Sequence, residues 1–161
     1  MKYTVSVDIC LSRARVVELF DSVEYYSDWQ DSLVHLERVD GEAGQVGAKT
    51  RLHHMMGKRE LIMLETVMLR DLPDRVTAIY EADGVWNEVS SRFYELEDGH
   101  TRWELASEFR CSGFMWLMTK LMPGSFKKQT SATMQAFKSF AENSDSAPPQ
   151  QSDQTSQESD P

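Results

Sequence analysis

Val85-Trp86-Asn87-Glu88-Val89-Ser90-Ser91-Arg92-Phe93-Tyr94-Glu95-Leu96, the turn Glu97-Asp98-Gly99-His100, and Thr101-Arg102-Trp103-Glu104-Leu105-Ala106-Ser107-Glu108-Phe109 form the stretch on which the fold turns. Successive side chains of a strand point to opposite faces. One face therefore carries Val85, Asn87, Val89, Ser91 and Phe93, followed after the turn by Trp103, Leu105, Ser107 and Phe109. Trp86, Glu88, Ser90, Arg92 and Tyr94, then Arg102, Glu104 and Glu108, fall on the other. Two antiparallel strands with a largely apolar inner face are expected. Asn87, Ser91 and Ser107 interrupt that inner face, and buried polar groups need partners. They bond to one another across the strands, or a ligand or ordered water serves them; the alternation alone leaves both open.

Toward the C-terminus, Phe126, Thr130, Met134, Phe137 and Ala141 recur at spacings of three and four, so a long helix presents one apolar stripe. Phe114 to Met122 is the most hydrophobic run and is expected to be a lid packed over one end of the core. Its alternative is a mouth that admits an apolar ligand or touches a membrane. Toward the N-terminus, Tyr3, Val5, Val7 and Ile9 alternate with polar residues as in a half-buried strand. Ser12 then caps a short helix, and Asp21-Ser22 opens a second that carries Tyr25, Tyr26 and Trp29. Breaks at Gly41 to Gly47, Gly57-Lys58, Leu72-Pro73-Asp74 and Asp83-Gly84 divide the remainder into strands. The sum is an α+β chain: a curved seven-stranded antiparallel sheet, two short helices between strands 1 and 2, and a long C-terminal helix.

The chain has 161 residues, 40% of them hydrophobic, which suits one domain with a real core. That domain is placed at residues 1–143, followed at 144–161 by a tail with no aromatic, Ile, Leu, Val, Met, Lys or Arg, a composition that cannot order itself. The net charge of −9 repels phosphate backbones and anionic headgroups, and no basic patch stands out, so nucleic-acid binding is not expected. No apolar run approaches the roughly 18 residues needed to span a bilayer, and Lys2 and Asp8 interrupt the start, so stable membrane insertion is not expected and a cytoplasmic setting is. Cys10 and Cys111 are too few for a disulfide scaffold and are expected as reduced, buried thiols.

If Asp40 pairs with Ala48, His35 falls opposite His53 and Glu37 opposite Arg51, while Leu36 and Leu52 meet on the other face. Two histidines without a third ligand do not make a zinc site, so no metal and no cofactor is expected. His54 points opposite to His53 and can reach the interior, where the favoured reading is a satisfied core histidine; as a functional group, its near-neutral imidazole suits acid/base work. Glu65 lies in Leu61 to Leu69, apolar on both faces, so its direction is undecided. Facing inward it is desolvated and becomes the best carboxylic acid of the chain; facing outward, the favoured reading, it solubilises the strand.

Leu11-Ser12-Arg13-Ala14-Arg15-Val16-Val17-Glu18-Leu19-Phe20, Tyr25-Tyr26-Ser27-Asp28-Trp29, Val46-Gly47, Leu72-Pro73-Asp74-Arg75-Val76 and Asp98-Gly99-His100-Thr101-Arg102 occur in an order and at spacings that resemble the START-like helix-grip (SRPBCC) superfamily, in its polyketide cyclase/dehydrase and lipid-transport branch. The resemblance covers residues 1 to about 142 and implies a sheet that grips the long helix around an apolar cavity. It implies a small hydrophobic ligand (a lipid, polyketide or aromatic) bound by Asn87, Val89, Ser91, Phe93, Trp103, Leu105, Ser107 and Phe109, and by Phe126, Thr130, Met134 and Phe137 of the helix. Two other functions compete: a metal-free cyclase or dehydratase using His54 or Glu65, and a partner-binding protein without a small ligand. A monomer and a homodimer are both compatible.

Overall fold

The computed structural model describes residues 1–122 and 124–146. Its strands are β1 (Lys2–Ile9), β2 (Leu33–Asp40), β3 (Lys49–Met56), β4 (Arg59–Asp71), β5 (Arg75–Ala82), β6 (Val85–Glu95) and β7 (Thr101–Cys111). They form one antiparallel sheet in the order β1-β7-β6-β5-β4-β3-β2. Helix α1 (Arg13–Asp21), a 3-10 turn at Val23–Tyr25 and α2 (Tyr26–Trp29) connect β1 to β2, and α3 (Gly113–Leu121) and α4 (Ser125–Ser146) follow β7. The α+β layout read from the sequence is the one observed. α4 runs through Ser146, so the expected boundary at 143 falls within its last turn; residues 147–161 lie outside the described residues.

The quoted hairpin pairs Asn87 with Phe109, Val89 with Ser107, Ser91 with Leu105 and Phe93 with Trp103. β1 adds Val7 opposite Trp103 and Val5 opposite Leu105. At one end of this surface, Phe93, Trp103 and Phe137 pack with Phe20 and Trp29; Phe20 meets Trp103 edge-on at 5.3 Å and Trp29 meets Phe137 at 5.1 Å between ring centroids. Each of these rings contributes roughly 1.5–3 kcal/mol by burial, which makes the cluster the anchor of the fold. Ser12 caps α1 as expected, its side chain accepting from the Arg15 N–H.

α4 is fastened to β1 at its two halves. The Tyr3 and Thr130 hydroxyls lie 2.8 Å apart, and farther along Lys138 donates to the Asp8 carbonyl at 2.7 Å while Glu142 accepts the Cys10 N–H at 2.8 Å. Met134, Phe137 and Ala141 form its buried stripe. The β2–β3 turn needs Gly41, whose φ is +73° and where a Cβ would stand 3.0 Å from the Ala48 backbone.

Three local expectations are corrected. His35 pairs with His53 and Glu37 with Arg51 as read, but a bulge after Arg38 sets Asp40 opposite Lys49 instead of Ala48. Cys10 is exposed and Cys111 only half-buried, because Cys10 follows the last residue of β1, where the chain turns out toward Glu142. Phe114 to Met122 forms no buried lid at its described side chains: Trp116, Leu117, Leu121 and Met122 are all exposed. A short helix that follows the end of a strand can cover the core with one side only, so an apolar run on it need not be interior.

Candidate ligand cavity

Because α4 lies against β1 and α2, the concave face of β3 to β6 is not filled by it. An inner chamber of about 280 Å³ remains, bounded by Leu52 and Met63 on one side, Val89 and Leu105 across the sheet, and Met134 of α4. Beside it is an outer compartment of about 750 Å³ toward the surface, bounded by Met56, Leu61, Val85, Phe109, Met122 and Phe126. Trp29, Gln30, His54, Met63, Gln129 and Thr133 border both, so the two adjoin.

The inner chamber has a polar wall. Glu65 pairs with Tyr80, and Tyr80 with Asn87, so three polar side chains stand in a row across β4, β5 and β6. Glu65, Tyr80 and Asn87 all line the chamber, as does Tyr26 from α2. The inward direction of Glu65 corrects the solvated reading. Burial lifts its carboxyl above the ordinary range, and a hydrogen bond from Tyr80 offsets part of the rise. Burial and the nearby Glu65 charge together raise the Tyr80 phenol, and the same two causes raise that of Tyr26. Asn87 Oδ1 accepts from the Ser107 hydroxyl at 2.7 Å, so this pair is satisfied across strands. The indole N–H groups of Trp29 and Trp103 have no acceptor among the described residues.

His54 lines the cavity, with Nδ1 2.9 Å from the Ser32 hydroxyl; partial burial lowers its pKa. It does not stand beside Glu65. On β3, Thr50 is opposite Glu65 and His54 is four residues farther along, a separation of about 13 Å at strand rise. The two titratable groups therefore stand at different points along the chamber wall.

Of the residues in the expected ligand set, the structure brings Asn87, Val89, Ser91, Trp103, Leu105, Ser107, Thr130 and Met134 around the inner chamber, and Phe109 and Phe126 around the outer one. Phe93 and Phe137 instead lie fully buried within the aromatic cluster, packed against Phe20, Trp29 and Trp103, and do not border either pocket. Tyr80, Tyr26 and Met63 border the chamber and were not singled out by the sequence. The outer-face histidines stay apart from it: the His35 and His53 rings are 5.3 Å apart, and His53 Nδ1 lies 2.8 Å from Glu60. Among the described residues, no group of three His, Cys, Asp or Glu side chains is placed to hold a metal ion.

No protein-family model matches the chain, and no curated protein matches it. Solved structures do. A protein from Thermus thermophilus superposes with a TM-score of 0.74 at 18% identity, covering 91% of this chain and 100% of that one. An aromatase/cyclase from a Streptomyces species superposes with a TM-score of 0.73 at 16% identity, covering 89% and 94%. A START superfamily protein from Mycobacterium smegmatis gives 0.70 at 12% identity, covering 88% and 97%. The chain has the START-like helix-grip fold. At these identities the likeness concerns the path of the backbone, and the cavity's chemistry is this chain's own. No described helix is long and apolar enough to cross a membrane.

Proposed function

We propose that the protein binds a small, largely apolar molecule in the helix-grip cavity, with the polar end of that molecule toward Glu65, Tyr80 and Asn87. A fold of this kind does not assign an activity by itself. The observation that supports the reading is a pair of adjoining pockets running from the aromatic cluster toward the surface, with a mainly apolar lining and polar side chains contributed by the sheet (Glu65, Tyr80, Asn87) and by α4 (Gln129, Thr130, Thr133). Pockets for small organic ligands are commonly of this make and of roughly 300–1,000 Å³. The Tyr80 hydroxyl is already given to Glu65, while the Tyr26 phenol keeps its proton and Asn87 has an amide N–H to offer, so a carbonyl, ether or hydroxyl oxygen suits that wall better than a carboxylate beside Glu65 does. Titration with an apolar, environment-sensitive dye tests the reading. One saturable site that quenches tryptophan emission supports it; unsaturable or absent binding counts against it.

A second reading is favoured by one specific observation, the raised carboxyl of Glu65 beside Tyr80. A carboxylic acid held protonated at higher pH than usual serves as a general acid, and its conjugate base takes a proton from a carbon next to a carbonyl. This is the cyclase or dehydratase reading, with Glu65 moving the proton and Asn87 holding the substrate oxygen. His54, near the junction with the outer compartment, contacts a different part of the ligand. A Glu65→Gln variant that keeps dye affinity and loses turnover of polyketide-like ketones supports it; unchanged turnover removes it.

A further inference from the structure

We propose that α3 is a docking element for the surface of an anionic lipid bilayer, placed at the mouth of the cavity. Trp116, Leu117, Lys120 and Leu121 sit at helical spacings of one, three, four and five, so they share one side of α3. That side faces out: Leu121 is 67% exposed, Trp116 and Met122 are each 53% and Leu117 is 46%. Lys120 Nζ lies 5.8 Å from the Trp116 ring centroid, over its face. An indole and aliphatic side chains with a lysine among them match a bilayer interface, where apolar groups enter the acyl boundary and ammonium groups stay with the headgroups.

Charge selects the kind of surface. From Phe109 to Ala141 the chain has Arg110, Lys120, Lys127, Lys128 and Lys138 and no Asp or Glu, within a protein of net charge −9; Arg110 and Lys138 pair with Glu108 and Glu142, so the positive charge near α3 is that of Lys120, Lys127 and Lys128. The chain-wide average hides this local sign. Charges beyond about 8 Å are largely screened at physiological ionic strength, so a surface meeting α3 and the start of α4 responds to the nearby lysines. Acidic residues at the mouth, Asp31 and Asp83, belong to the turns after α2 and β5, not to α3 or α4. The chain's own segment 147–161 is acidic but carries no aromatic, Ile, Leu, Val or Met with which to cover Leu117 and Leu121. A lipid surface supplies both the charge and the apolar depth.

Position supports the same occupant. Met122, directly after α3, and Ser125 and Phe126, at the start of α4, border the outer compartment. The exposed apolar side of α3 is thus continuous with the cavity's rim. The inference concerns the outer surface and does not depend on which molecule, if any, occupies the cavity.

Co-sedimentation of the full chain with vesicles of phosphatidylcholine alone, or mixed with phosphatidylglycerol, tests it without any added cargo. The expected result is binding to the mixed vesicles that weakens with salt and nearly vanishes without phosphatidylglycerol. Leu117→Glu with Leu121→Glu, and separately Lys120→Glu with Lys127→Glu and Lys128→Glu, should each lower binding roughly tenfold or more at unchanged thermal midpoint. Hydrogen exchange on the unaltered protein should show new protection over residues 113–122 when mixed vesicles are added. Failure to bind the mixed vesicles at low salt, equal binding to both vesicle types, or protection elsewhere would overturn the proposal. So would capture of an acidic protein partner by α3 with no vesicle binding.

Discussion

Glu65 and Tyr80 are direct cross-strand partners on β4 and β5, and both side chains line the inner chamber. Burial raises the Glu65 carboxyl in the folded state above its value in the unfolded chain, roughly 4.3 for a free Glu. The folded protein therefore holds a proton that the unfolded chain releases first. Stability linked to Glu65 is fully present below the unfolded value and is lost as pH rises through the raised folded value. Glu65→Gln should thus match the wild type at low pH, exceed it increasingly as pH rises through that window, and keep a constant margin above it. Urea unfolding of both proteins across the acid-to-neutral range measures the difference. A gap that is constant with pH, or widest at low pH, would contradict the assignment.

The Asn87–Ser107 bond joins β6 to β7 inside the cavity wall. Asn87→Ala leaves the buried Ser107 hydroxyl without its acceptor and should lower stability by about 1–3 kcal/mol. Ser107→Ala should cost less, and the double variant should cost less than the sum of the two. A four-protein cycle of urea denaturations reads this coupling, and strict additivity would show that the two side chains act independently.

Arg70 holds Asp21 with two parallel contacts of 2.7 and 2.5 Å, tying β4 to the end of α1. Both side chains are partly exposed, so the pair is screened by solvent. Arg70→Ala is expected to lower stability by about 1 kcal/mol, less in high salt. Thermal melts at two ionic strengths check this; a loss that grows with salt would contradict an electrostatic role.

Trp103 lies between Phe93, Phe20 and Phe137 at the closed end of the cavity. Trp103→Ala removes the centre of that cluster and should cost about 3–5 kcal/mol. Leu121→Ala, on the exposed side of α3, should change stability by less than about 0.5 kcal/mol. Comparable losses at the two positions, measured by urea unfolding, would mean that α3 packs as core.

The hairpin of β6 and β7 was legible because its alternation is strict and its polar and apolar faces differ. The stripe of α4 was legible for the same reason at helical spacing. Glu65 was not, since Leu61 to Leu69 is apolar on both faces and a bulge between Val67 and Leu69 breaks the alternation that would orient it. Tyr80 was not picked out, and Tyr26 was read only as a helix residue, because their chemistry arises from proximity to Glu65 across separate elements, which no spacing along the chain encodes. The exposure of α3 was hidden because apolar composition alone does not say which side of a helix has a neighbour. The bulge at Arg38 to Asp40 likewise depends on how the β2–β3 turn closes around Gly41 and Ala48.

The central claim is that the space under the sheet holds a small apolar molecule. Val89 and Ser91 border the inner chamber, so Val89→Phe with Ser91→Leu adds side-chain volume to it while changing no surface residue. Native mass spectrometry of the wild type and this variant, purified without detergent and then offered an extract of cellular lipids, tests the claim most directly. The account predicts a discrete mass excess on the wild type, one molecule per chain, and the bare polypeptide mass for the folded variant. A wild type that stays at the bare polypeptide mass, or an excess that survives in the filled variant, would contradict it.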